Sequence, residues 1–110
     1  MTSVKFSADK GVICGFKISG HCSVDGDDEI GKLVCASVSS AAYMTVNTIT
    51  EVVKDKADIS VDDGKMFLYV SSPCDATVKI LQGFKLHIEQ LCDQYSNNIR
   101  IYGGVDNVKD

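Results

Sequence analysis

The sequence predicts an α+β fold, a two-layer sandwich of two helices on one sheet in the order hairpin, helix, hairpin, helix, strand. Two pairs of short alternating apolar runs flank the turn sequences Asp9-Lys10-Gly11 and Asp62-Asp63-Gly64, which is hairpin chemistry. Between the pairs, Lys32 to Asp63 contains no glycine or proline and is far too long for one strand. A second helical run follows Pro73. Strands grouped by hairpins and separated by single helices give helices layered on an antiparallel or mixed sheet.

In the first hairpin Val4, Phe6 and Ala8 alternate along one strand, and Val12, Cys14, Phe16 and Ile18 alternate along the other, giving each strand an apolar face. Cys14 therefore reads as a small buried hydrophobe. The first helix carries Val34, Val38, Ala41, Ala42, Ile49, Val52 and Val53 at helical spacing and is expected to end near Asp55. Its many β-branched residues lower intrinsic helix propensity, so packing must hold it. The second hairpin alternates Ile59 and Val61 with Met66, Leu68 and Val70, which turns Phe67 and Tyr69 to the opposite face. Asp75 is the expected N-cap of a helix with Val78, Leu81, Ile88, Leu91, Cys92 and Tyr95 on its apolar face and His87 on its polar one. Residues 99–102 form a last short strand, and 103–110 read as a frayed tail.

A chain of 110 residues is one domain, 1–110, able to bury roughly 65% of its unfolded surface. A net charge of −4 disfavours direct nucleic-acid binding but leaves a basic protein partner open. No apolar run approaches a membrane span, and no basic start followed by an apolar core marks a secretory signal, so a cytoplasmic location is expected. Five cysteines, an odd number without a CxxC, fit reduced thiols better than a disulfide framework.

The stretch Gly20 to Ser40 carries the chemistry. His21 closes an apolar strand pattern, and Cys35 opens a helical one. An unperturbed thiol is only about 3% ionised at pH 7, and bringing its pKa near neutrality takes roughly 2 kcal/mol. A helix N-terminus supplies about 0.3 to 1 kcal/mol at an exposed site. A histidine against the sulfur supplies the rest, as a thiolate–imidazolium pair. Cys35 is therefore read as nucleophile and His21 as its base, with N–H groups at the helix start as oxyanion donors. Ser39 lies one turn from Cys35 on the same face and is a candidate supporting residue, with a small residue allowing close packing, or bonding back to a carbonyl of its own helix, as the alternative. Cys22 reads as a bystander.

These residues resemble the ribosomal-processing cysteine proteases, the Prp family. The resemblance rests on Gly20-His21 after a short apolar strand, on Val34-Cys35-Ala36-Ser37-Val38-Ser39 opening the first helix, and on the element order across nearly the whole chain. It implies a small homodimeric cytoplasmic endopeptidase that uses no cofactor or metal. Its implied task is to remove the N-terminal extension of large-subunit ribosomal protein twenty-seven during ribosome maturation, with His21 as general base, Cys35 as nucleophile and a rearranging segment between them. The sequence departs from the family pattern at Cys22, where a small residue such as alanine is usual, and at Lys32, where an aspartate is expected. If that aspartate orients the histidine or the loop in the family, then Asp28 or Glu29 substitutes for it here, or the activity is weaker or differently tuned.

The acidic stretch Asp25, Asp27, Asp28 and Glu29 is then a candidate substrate-binding segment, because a ribosomal protein tail is basic. Two other classes compete. A metal module from His21, Cys22, Cys35 and Cys74 lacks the short ligand spacing of ordinary zinc sites. A non-catalytic ribosome-associated or protein-binding module would make the histidine and cysteine structural.

Overall fold

The computed structural model describes residues 1–20 and 29–103. Strand β1 (Thr2–Asp9) turns into β2 (Val12–Gly20), and helix α1 (Glu29–Asn47) continues into a π-helical turn over Thr48–Val52. Strands β3 (Asp58–Asp62) and β4 (Lys65–Tyr69) form the second hairpin, followed by helix α2 (Asp75–Gln94) and strand β5 (Ile99–Gly103). The sheet order is β3-β4-β2-β1-β5. All neighbours are antiparallel except β1 and β5, which run parallel, so the sheet is mixed. The expected α+β sandwich of two helices on one sheet is the observed one.

One face of the sheet and one stripe of each helix form the core. Val4, Phe6, Phe16, Ile18, Met66 and Leu68 meet Val34, Val38, Ala42 and Ile49 of the first helical segment and Leu81, Phe84 and Ile88 of α2. Phe84 lies on the sheet between two aromatic rings, 4.5 Å from Phe16 and 5.9 Å edge-on from Phe6, measured between centroids. The opposite face carries Lys5, Lys17 and Phe67 in register across β1, β2 and β4, all exposed. That polar composition is why the fold stops at two layers.

The alternation expected along β2 breaks at one point. Between Ser7 and Ala8 the register slips, so that Ser7 faces Gly15 while Ala8 faces Ile13, leaving Cys14 as an extra residue. The bulge turns Val12 outward, at 42% exposure, and buries Ile13 and Cys14 together. Gly15 follows because β4 passes so close that a Cβ there would strike the Leu68 carbonyl oxygen. In the second hairpin Ile59 and Val61 are exposed, because β3 is an edge strand that no helix covers. Phe67 faces away from the core, as its alternation predicts.

The first helix begins at Glu29 rather than Lys32, so Gly31 is helical and buried. Its end comes slightly before Asp55: the Val53 N–H donates to the Thr48 carbonyl, Lys54 takes a φ of 64°, and the Asp55 N–H donates back to the Ile49 carbonyl. The β-branched residues here are served within the helix, Thr45, Thr48 and Thr50 each bonding the carbonyl four residues back.

Helix α2 is capped from a distance. Cys74, not Asp75, occupies the N-cap and makes no side-chain cap bond. The Asp55 carboxylate instead accepts from the Cys74 N–H at 3.0 Å and from the Thr77 hydroxyl at 2.7 Å. These bonds, the Cys74 N–H first, hold the Asp55 pKa below its ordinary value. A carboxylate lowered on folding contributes stability that is present above the unfolded pKa of about 4 and lost as pH falls through the lower folded value. Asp55→Ala is expected to cost about 1 kcal/mol at pH 7, the usual worth of a helix cap. Thermal melts check this: the gap between variant and wild type should close as pH is lowered below about 4, and a gap constant down to pH 2 would contradict the assignment.

Candidate functional site

Cys35 lies in the second turn of α1, beside the buried stripe Val34, Val38 and Ala42, and is itself half-buried. Because those valines and the alanine anchor the helix on the sheet, Cys35, Ser39 and Tyr43 fall at four-residue intervals along its flank. All three line one cavity of about 170 Å³. Its other walls come from Thr2 at the start of β1, Ile18, Ser19 and Gly20 at the end of β2, and Val61, Asp62, Gly64, Lys65 and Met66 around the second hairpin turn. Ile18, Val61 and Met66 make part of this lining apolar, while Asp62 and Lys65 bring both signs of charge to it.

Two of the expected site residues, Gly20 and Ser39, thus share a cavity with Cys35. Ser39 differs from its helical neighbours. Ser37 and Thr45 bond back to the carbonyls of Leu33 and Ala41, and no such bond back to the helix is made by Ser39 among the described residues. Gly20 has a φ of 125°, and a Cβ there would strike the Met1 carbonyl oxygen, so the last residue before His21 must be glycine. His21, Cys22, Asp25, Asp27 and Asp28 lie outside the described residues. Glu29, read as part of an acidic loop, is the exposed first residue of α1 and does not line the cavity.

The sequence profile of the family described as cysteine protease Prp matches residues 1–100. The chain belongs to this family. None of the curated proteins matches it. Among solved structures, it is similar to an essential ribosomal processing protease Prp from S. aureus in complex with a substrate peptide. That match has a TM-score of 0.84 and 22% identity over 94% of this chain and 100% of the other. The same S. aureus protease with a covalently linked product peptide gives a TM-score of 0.81 and 25% identity over 94% and 100%. SMU.848 from Streptococcus mutans gives 0.80 and 19% over 94% and 93%. The protein is a cysteine protease of the ribosomal-processing Prp type.

Within a Prp-family chain, the position of Cys35 changes one element of the expected chemistry. With α1 beginning six residues earlier, the helix start lies about 9 Å along the axis from Cys35. The dipole effect fades within the first turn. The start of α1 is therefore too far away to act as the oxyanion donor or to lower the thiol pKa, which leaves that task to groups around the cavity.

The sulfur state also departs from expectation. Cys14, Cys74 and Cys92 are free thiols, as a reduced chain requires, but Cys35 is disulfide-bonded in this structure. Burial, followed by the Asp9 charge, pushes the Cys14 thiol pKa up despite a hydrogen bond with Tyr69. That is the behaviour of an inert core thiol. Cys92 packs against the core and bonds the Ile99 carbonyl. Cys74, once grouped with Cys35 as a metal ligand, sits at the N-cap of α2 and does not line the cavity.

Sequence reading missed Tyr43, Asp62 and Lys65 as cavity residues. Tyr43 was accessible to it, because the spacing that joins Cys35 to Ser39 extends one step further. Asp62 and Lys65 were not, because nothing local to a hairpin turn shows which helix flank it will face.

Proposed function

We propose that the protein is an endopeptidase that removes the N-terminal extension of large-subunit ribosomal protein twenty-seven, with Cys35 as nucleophile and His21 as general base. The observation that carries this reading is the shared cavity of Cys35, Ser39 and Gly20, the last being covalently joined to His21. The solved S. aureus Prp structures with substrate and product peptides support a peptide as ligand.

In the reduced enzyme the Cys35 thiolate attacks the scissile carbonyl carbon. The Ser39 hydroxyl, one turn away, donates a hydrogen bond to the charged sulfur before attack. His21 then gives its proton to the leaving amine, and the thioester that remains is cleaved by a water from which His21 takes a proton. The apolar lining from Ile18, Val61 and Met66 seats an apolar side chain of the substrate next to the sulfur. Asp25, Asp27, Asp28 and Glu29 attract the basic remainder of the tail, and Asp62 adds a further carboxylate at the cavity itself. The cytoplasmic location, the single domain running to residue 110 and the homodimer belong to the same proposal, and sedimentation of the reduced protein checks the dimer.

The deciding experiment incubates the reduced full chain with the extended ribosomal protein beside a Cys35→Ala control. Release of the extension by the wild type alone is expected, and an intact extension after reduction would overturn the reading. In the same assay, neutralising the four acidic residues should raise KM several-fold and flatten its salt dependence, since exposed charges act through screened attraction. Unchanged kinetics would remove that segment from substrate binding.

A further inference from the structure

We infer that the open face of the sheet is a binding platform for single-stranded nucleic acid. This role goes beyond the protease reading and does not depend on it. On that face the registers align one row across four strands: Phe67 of β4, Lys17 of β2, Lys5 of β1 and Tyr102 of β5. The next row on the same face holds Lys65, Ser19, Ser3 and Arg100. All four cations are exposed. Phe67 and Tyr102 are 36% and 45% exposed, on the side of the sheet that carries no helix.

The whole-chain charge of −4 hides this platform because the signs are sorted by layer. Glu29, Glu51, Asp75, Glu89 and Asp93 belong to the helical layer. The two rows on the sheet set four cations against one carboxylate, Asp62 beside Lys65. Asp58 and Asp9 lie further along, near Tyr69. Lys5 and Lys17 are the telling pair. They face each other directly across β1 and β2, where like charges with Cβ atoms about 5 Å apart destabilise a sheet. Neither has an ion-pair partner among the described residues. An unrelieved repulsion in the middle of a sheet face is the kind of local conflict that a functional surface retains, and a bound anion supplies the missing charge.

Phosphate satisfies the lysines, and the aromatic rings specify what else the ligand carries. Strands about 4.8 Å apart put Phe67 and Tyr102 about 14 Å from each other, with the two lysines between them. Exposed rings flanking cations suit unpaired bases, which stack while the connecting backbone crosses the charges. Between Phe67, Lys17, Ser60 and Lys65 the surface dips into a hollow of about 310 Å³, which lets polar groups reach the edge of a base stacked on Phe67. A duplex fits poorly, because its bases already stack on one another and its major groove admits a helix or a ribbon rather than a sheet face. The basic tail proposed as substrate is repelled by this row, so the two ligands take different surfaces. Asp62 and Lys65 line both this hollow and the cavity of Cys35, so nucleic acid on the platform lies beside a substrate in the cavity.

The test uses the reduced full chain and a fluorescein-labelled oligouridylate of about twelve nucleotides, followed by anisotropy as salt rises from about 50 to 200 mM. Binding should weaken with a log–log slope of about −2 to −3, the value for three or four phosphate contacts on a single strand. Lys5→Gln with Lys17→Gln should weaken binding at low salt by about tenfold or more and reduce the slope by about 1.4. Its melting temperature should not fall, since the change removes a repulsion between exposed groups. Phe67→Ala and Tyr102→Ala should each weaken binding several-fold and leave the slope unchanged, because stacking releases no counterions. Oligodeoxythymidylate of equal length tells the two sources apart: weaker binding assigns the platform to RNA, and equal binding assigns it to single strands of either kind. Absence of binding at low salt, a lysine variant equal to wild type, or a duplex that binds as well as the single strand would overturn the proposal. So would a polyglutamate of matched charge that competes as well as the oligonucleotide, which would assign the face to an acidic protein. A dimer that dissociates in the aromatic variants would assign it to a second copy and overturn the proposal too. Cleavage is not read in any arm, so the outcome is independent of the protease assignment.

Discussion

His21→Ala in the reduced enzyme is expected to lower kcat/KM for the extended substrate by about a thousandfold, and to move alkylation of Cys35 to higher pH. The magnitude follows from two losses. General acid–base catalysis contributes about 10² to 10⁴, and a thousandfold is about 4 kcal/mol of transition-state stabilisation. The shift in alkylation reports the other loss, that of the imidazolium holding the sulfur as thiolate. Sequence reading shared that work between the histidine and the start of the helix. The structure withdraws the helix, because Cys35 sits in its second turn. Wild type should therefore react with iodoacetamide well below pH 8, while the variant follows an ordinary thiol near pH 8.5. Melting temperatures of the two should agree, since the change is aimed at the sulfur's charge and not at the core. A pH profile of alkylation that is the same in both proteins would remove His21 as the base.

What could be read beforehand depended on how local the cause was. The hairpins, the two helices and the last strand were legible because alternation, helical spacing and turn residues act within a few positions. The flank joining Cys35 to Ser39 was legible for the same reason. The bulge at Cys14 was not, since it depends on how β1 and β2 pair and displaces the apolar face by one residue. Nor was the cap of α2, where a carboxylate 19 residues earlier in the chain serves the Cys74 N–H. Cavity walls assembled from β1, β2, α1 and the β3–β4 turn are a product of topology, and only their helical side had a signature in sequence.

The largest effect on stability is expected at Phe16, where Phe16→Ala should cost about 3 to 5 kcal/mol. The ring is fully buried and packs 4.5 Å from Phe84, centroid to centroid, so truncation removes both apolar burial and the aromatic contact that ties α2 to the sheet. A domain of this size has roughly 5 to 15 kcal/mol in total, so the loss is a large fraction of it. The melting temperature should fall by more than about 10 °C. The matched control is Phe67→Ala, which removes the same group from a strand on the same sheet. Phe67 lies on the exposed face opposite Lys17, where no helix covers it, so its loss should cost about 1 kcal/mol or less. Phe16→Leu should fall between the two because it keeps most of the volume. Phe16 also belongs to the strand that ends at Gly20, so loosening it should degrade activity below the melting temperature by misplacing His21. Equal melting temperatures for Phe16→Ala and Phe67→Ala would mean that the sheet does not bury the face assigned to it.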